Sequence, residues 1–313
     1  MLWVLLGSAI LGAAILLLAR FCYRIAFFNA NLQEQDAYII PPGKQHEKDA
    51  DTILHMIHNA DTLPYEQVYI KAHDGTQLAA RYHHVKTGAP LQILVHGFHS
   101  SAVRDMCGLS QLAREMGFNT LMVDQRAHGK SGGHTITFGV KERCDCLDWV
   151  RYAVERFGAD TKIVLAGLSM GAATVLMASE LLLPDNVVGI VADCPYASPG
   201  GIIRTVARSI HIPGWLVYPF VVLGGLVYGH FWLPGNSAVH AVRDARVPIL
   251  LLHGEADRLV PCKMSVAIFN ACAAPKRLET FPNAGHGLSY VVDPARYKRI
   301  IGEFLRSCGF KPS

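Results

Sequence analysis

Two hydrophobic patterns divide the chain. Residues 2–19 run for 18 positions without a charge, which approaches the thickness of a bilayer core. From about residue 65, short apolar, β-branched runs alternate with segments of helical periodicity. These runs predict strands at residues 68–72, 77–85, 92–95, 120–124, 163–166, 187–193, 249–253 and 278–281. Such alternation predicts an α/β fold with a mostly parallel central sheet and helices on both faces.

The same pattern divides the chain into segments. Residues 1–30 read as an N-terminal membrane anchor, and 31–64 as a linker with a short amphipathic helix, punctuated by Pro41-Pro42-Gly43. Residues 65–195 and 246–313 form the core. The stretch 196–245 is too long for one crossover helix and reads as an inserted helical cap. Its centre, 212–232, is apolar enough to suggest a second span. A span there would part residues 169, 257 and 286 across a bilayer, and Pro213, Pro219 and Gly224-Gly225 are expected to break the helix. It reads instead as an apolar pocket or a lid leaning on the membrane, against the plainer alternative of lid helices packing on the core.

No Lys or Arg precedes the first apolar run and no Ala-x-Ala site closes it, so an anchor is favoured over a cleaved signal. Arg20 and Arg24 follow the run, which predicts a single-pass membrane protein with its domain on the cytoplasmic side.

One segment carries the chemistry. Residues 162–171 deliver Ser169 into Gly167-Leu168-Ser169-Met170-Gly171 between an apolar strand and a helix-forming run, the context of a nucleophile elbow. Small residues flank a serine held on so sharp a turn because side chains there would collide with the helix. A second Gly-x-Ser-x-Gly, around Ser131, lacks that context: no buried helix begins at Gly132-Gly133. Asp124 occupies the place of a phosphate loop's first glycine, so Gly129-Lys130-Ser131 is not one either, and Ser131 reads as loop chemistry.

A serine nucleophile needs a base and an acid to orient it. A buried strand ends in His253-Gly254-Glu255-Ala256-Asp257, and a later short strand is followed by Gly285-His286-Gly287. Ser169, Asp257 and His286 thus follow the chain order expected of α/β-hydrolases. Asp193, at another strand end, is the rival acid. Asp124 reads as a loop anchor, His96 and His253 as structural, and His128 and His134 as loop residues near the cleft. The strand ending at His96-Gly97-Phe98 offers a turn whose Phe98 amide, with that of Met170, is placed to stabilise an oxyanion.

These pieces, with Asp124-Gln125-Arg126-Ala127-His128-Gly129, make the chain resemble the α/β-hydrolases of the serine aminopeptidase and monoacylglycerol-lipase-like type, including membrane-anchored bacterial members. The resemblance spans about residues 65–310 and departs at Ala127, where the family commonly carries glycine. It implies a hydrolase without fixing the substrate.

Other chemistries find less support. Net charge is +4 with no arginine-rich tract, so no nucleic-acid partner is expected. The cysteines at 22, 107, 144, 146, 194, 262, 272 and 308 show no disulfide spacing and read as free thiols. Cys144 and Cys146 lack a second pair, and His83-His84 or His55 with His58 lack companion ligands, so neither metal nor cofactor is expected. The sequence names no protein partner. A lipophilic acyl ester is the expected substrate. A small-peptide substrate is the alternative, although residues 195–241 contain no Asp or Glu to hold an α-amino group. A noncatalytic binding protein on a hydrolase scaffold is the third reading.

Overall fold

A computed structural model describes residues 1–30, 37–40 and 44–310. The Pro41-Pro42-Gly43 punctuation lies outside the described residues. Helix α1 (Leu2–Ala26) is followed by α2 (Lys44–Lys48), α3 (Ala50–Asp61), β1 (Glu66–Lys71), β2 (Gln77–His83), β3 (Leu91–Val95), α4 (Ala102–Glu115), β4 (Asn119–Asp124), α5 (Glu142–Phe157), β5 (Ile163–Leu168) and α6 (Met170–Ala178). The chain continues through β6 (Val187–Asp193), α7 (Pro199–Ser209), α8 (Gly214–Gly229), α9 (Ala238–Ala241), β7 (Ile249–Gly254), α10 (Lys263–Ala271), β8 (Lys276–Phe281), α11 (Ser289–Val292) and α12 (Pro294–Ser307). Each of the eight predicted strands is present, with ends within two residues of expectation.

The strands form one sheet in the order β1-β2-β4-β3-β5-β6-β7-β8. β2 is antiparallel to β1 and β4, and the remaining pairs are parallel. Strands β3, β5 and β7 are buried almost throughout, as expected of strands covered on both faces. One face carries α5, α6 and α10 over Ile93, Leu165, Ile190 and Leu251. The other carries α4 and α12 over Leu94, Val164, Val191 and Leu252. β4 lies on one side of β3 and β5 on the other, so the strand order reverses between β3 and β5. Such a switch opens a crevice at the carboxyl ends of the strands.

The insertion between β6 and β7 holds α7, α8 and α9. Contrary to expectation, α8 runs unbroken through Pro219, where only one helical hydrogen bond is forfeited. Its glycines are contact points: Gly224 lies against the Ala19 carbonyl and Tyr23 of α1, and Gly225 against Phe231 and Phe27. The segment read as a linker also does more than connect. Ile53, Ile57 and Ala60 of α3 pack with Val103 and Cys107 of α4 and with Leu288.

Candidate active site

Three loops at the carboxyl edge of the sheet bring the predicted residues together. Ser169 caps α6 with φ 56° and ψ −113°, a strained backbone for a residue other than glycine. Its amide donates to the Asp193 carbonyl at 2.9 Å, which fixes the turn. Close approach makes the turn possible: a Cβ on Gly167 would meet the Gly171 backbone, and one on Gly171 the carbonyls of Val95 and His96.

The loops after β7 and β8 are joined by backbone bonds from Glu255 N to Phe281 O at 3.0 Å and from Ala256 N to Ala284 O at 3.0 Å. This pairing sets Asp257 beside His286. The Asp257 Oδ1 accepts from the amides of Leu259 at 2.9 Å and Val260 at 2.8 Å, leaving Oδ2 for His286 Nδ1 at 2.7 Å. His286 Nε2 then lies 2.8 Å from Ser169 Oγ. Burial alone would raise the Asp257 pKa, but hydrogen bonds from His253, His286 and the Val260 amide outweigh it and hold the carboxylate well below its usual range. An ionised Asp257 fixes the imidazole proton on Nδ1 and leaves Nε2 as the acceptor facing the serine.

Asp193 is not brought to His286 in this way. Its carboxylate takes a bond from Ser289 Oγ at 3.1 Å and another from Tyr297, and it is fully buried. His253 is fully buried and bound to Ser265 Oγ and the Val260 carbonyl, with Nε2 3.4 Å from Asp257 Oδ2. The Ser131 hydroxyl donates to the Asp124 carbonyl and accepts from Ala79 N, an internal loop tie. Among the described residues, Cys194 Sγ, Asp257 and His286 offer ligand atoms within 4.8 Å of one another, a juxtaposition that residue spacing did not reveal. The carboxylate and imidazole of that group are already bound to each other.

The loop after β3 is held by residues that the sequence left unassigned. Asp105 accepts from Gly97 N at 2.7 Å and from the Ser100 hydroxyl. Arg104 donates to the His99 carbonyl at 2.9 Å and to the Ile39 carbonyl at 3.3 Å. His99, at φ 47°, donates its amide to His128 Nε2 at 3.1 Å. With the Gly97 and His99 amides committed, the Phe98 amide between them makes no hydrogen bond among the described residues, and neither does that of Met170.

His96 beneath this loop donates from Nδ1 to the Gly97 carbonyl and accepts at Nε2 from Gln125 N, so it is held neutral. Burial lowers its pKa to about 4, and burial also drives that of His128 well down. Above about pH 6.5 neither folded nor unfolded His96 is charged. Below it only the unfolded chain gains the proton, so stability falls with pH. By pH 5 His96 is expected to contribute a loss of about 2 kcal/mol. Ring nitrogen NMR that shows His96 charged at pH 6, or no fall in unfolding free energy between pH 6.5 and pH 5, would contradict this assignment.

Ser169 and His286 open into a cavity of about 390 Å³. Its walls include Leu109, Leu288 and Val291, and one side is closed by Ile39, His46, Ile53 and Met56 from the segment after α1. None of its described lining residues comes from 196–245. The sequence offered one clue, the amphipathic spacing of Ile53, Met56, Ile57 and Ala60, but not which surface that stripe would cover.

Comparison with known proteins agrees with this architecture. The chain is 25% identical over 226 residues to the uncharacterised Bacillus subtilis protein YqkD, covering 72% of this chain and 74% of that one. It is 28% identical over 193 residues to Schizosaccharomyces pombe Protein bem46, covering 61% and 58% respectively. The solved structure of the Pyrococcus furiosus esterase Pf2001 superposes with a TM-score of 0.65 at 24% identity, covering 86% of this chain and 97% of that one. At that identity the likeness carries the fold alone. A family model described as the alpha/beta hydrolase family matches residues 92–300, about two thirds of the chain and every strand from β3 to β8. On that match and this sheet, the chain belongs to the alpha/beta hydrolase family.

Proposed function

We propose that the protein is a serine hydrolase that cleaves carboxylic esters of lipophilic acyl substrates while anchored to a membrane through α1. The observation that carries this reading is the continuous line of hydrogen bonds from Asp257 through His286 to Ser169 at the mouth of a mostly apolar cavity. Ser169 Oγ attacks the ester carbonyl carbon as His286 Nε2 takes its proton, and the bond to the carbonyl oxygen shifts to an oxyanion facing the Phe98 and Met170 amides. His286 returns the proton to the departing alkoxide, leaving an acyl-serine. A water deprotonated by the same nitrogen then releases the acid and restores Ser169.

The cavity also bears on ester against peptide. The two carboxylates among its described lining residues, Asp105 and Asp193, are both engaged in internal hydrogen bonds, which supports an uncharged acyl group over a free α-amino terminus. The direct test is hydrolysis of p-nitrophenyl esters of graded chain length, beside aminoacyl anilides, by the full chain in lipid vesicles. Ester turnover is expected. Anilide turnover alone would favour the peptidase, and no turnover of either would favour a binding protein.

The wall formed by α3 supplies a specificity prediction. Met56 reaches across to Gly108 of α4 beside Tyr290, so a larger side chain at 56 narrows the cavity. Met56→Trp is expected to move the preferred ester toward shorter chains, each excluded methylene costing about 1–3 kcal/mol in kcat/KM. An unchanged chain-length profile in a folded Met56→Trp protein would remove α3 from the acyl site.

A further inference from the structure

Helix α8 has no charged residue and is apolar around its whole circumference. Its inner side, including Val221, Gly224 and Gly225, is buried against α1 and the body. At 100° per residue, Trp215, Leu216, Pro219, Leu226 and Val227 fall on the opposite side, and all five are exposed. Trp215 is 76% exposed at the start of the helix, and Trp232 is 55% exposed just beyond its end. An apolar helix with no polar face belongs in a protein core or in lipid, and nothing among the described residues covers this stripe.

The attachment of α1 points to what does. The Tyr228 hydroxyl donates to the Leu16 carbonyl at 3.1 Å, the Ala19 carbonyl abuts Gly224, and Phe27 meets Phe231 edge to face at 5.0 Å. From Leu16 onward, therefore, α1 is fastened to the insertion. Only residues 2–15 stand free, and these 14 residues reach about 21 Å at 1.5 Å each, against about 30 Å for a hydrocarbon core. The fastened part of α1, together with α8 on its flank, must enter the lipid for α1 to cross it. Exposed Arg20, Arg24, Arg204 and Arg208 belong to α1 and α7, the two helices packed on α8, where they can meet lipid phosphates.

We propose that α8 is a second membrane-seated element, its outer stripe immersed in the same bilayer that receives α1, with Trp215 and Trp232 at the lipid interface. This rests on the reading of α1 as an anchor, and the two are tested separately. The full chain carrying Trp3→Phe retains Trp149, which is buried in the core, together with Trp215 and Trp232. It is reconstituted in phosphatidylcholine vesicles with a minor share of phosphatidylglycerol, with or without bromine on the acyl chains near the headgroup. Flotation with the vesicles reports α1, and quenching of tryptophan emission by bromine reports α8. Emission is expected to be roughly halved, since two of three indoles then meet quencher. Adding Trp215→Phe and Trp232→Phe should abolish the quenching while flotation persists. Vesicle-bound protein that bromine does not quench would overturn the proposal, and a concentration-dependent dimer in those samples would assign the stripe to a second copy of the chain. Failure to float would instead overturn the anchor on which it rests.

Discussion

Ser169→Ala is expected to lower ester turnover by on the order of 10⁶ in kcat, the effect that loss of a serine nucleophile has in serine hydrolases. Substrate binding should survive, because the cavity walls and the two free amides are untouched. The positive φ of Ser169 adds a second readout. Alanine keeps the Cβ that makes this backbone costly, whereas glycine removes it, so Ser169→Gly should be equally inactive yet more stable by about 1 kcal/mol. Turnover and thermal melting of the two variants therefore separate chemistry from strain. Full activity in either variant would end the assignment of Ser169. Inactivity without the gain in melting temperature would reject only the claim of strain.

Gly171→Val is expected to be the most damaging single substitution for the fold, with a loss above about 4 kcal/mol, a large part of the stability of an ordinary domain. Its Cβ would lie inside the carbonyls at the end of β3, and those atoms are backbone, so no rotamer change relieves the clash. The first turn of α6 would have to lift from the sheet, taking Ser169 and the Met170 amide with it. Gly75→Ala is the comparison. Gly75 has φ 83° but nothing within 4 Å of its added Cβ, so only the conformational cost of about 1–2 kcal/mol is expected. Chemical denaturation of both proteins measures the difference, and equal losses would refute the argument from close packing.

The meeting of Ser169, His286 and Asp257 was legible in the sequence because a parallel sheet converts order along the chain into position in space. Strands that run in one direction present their following loops at one edge, so a serine, an acid and a histidine after β5, β7 and β8 meet without long-range information. That reason does not separate Asp257 from Asp193, which also ends a parallel strand at this edge and follows Ser169 in the chain. The bonds of Asp193 to Ser289 and Tyr297 link β6 to α11 and α12, about a hundred residues away. Likewise, the free Phe98 amide depends on Asp105 and on Arg104, whose guanidinium also bonds the Ile39 carbonyl.

By itself, then, the amino-acid sequence determined the strand and helix alternation, the apolar first helix, the elbow around Ser169 and the order of its partners. Each depends on local periodicity, on steric limits at glycine, or on chain order. Tertiary structure alone decided that α3 rather than the insertion walls the cavity at Ser169, that α8 continues through Pro219 to grip α1, and that Cys194 lies beside Asp257 and His286. A hydrophobic stripe states that a surface must be covered. Which surface covers it depends on the complementary shapes of segments far apart in the chain, and those exist only once the molecule has folded.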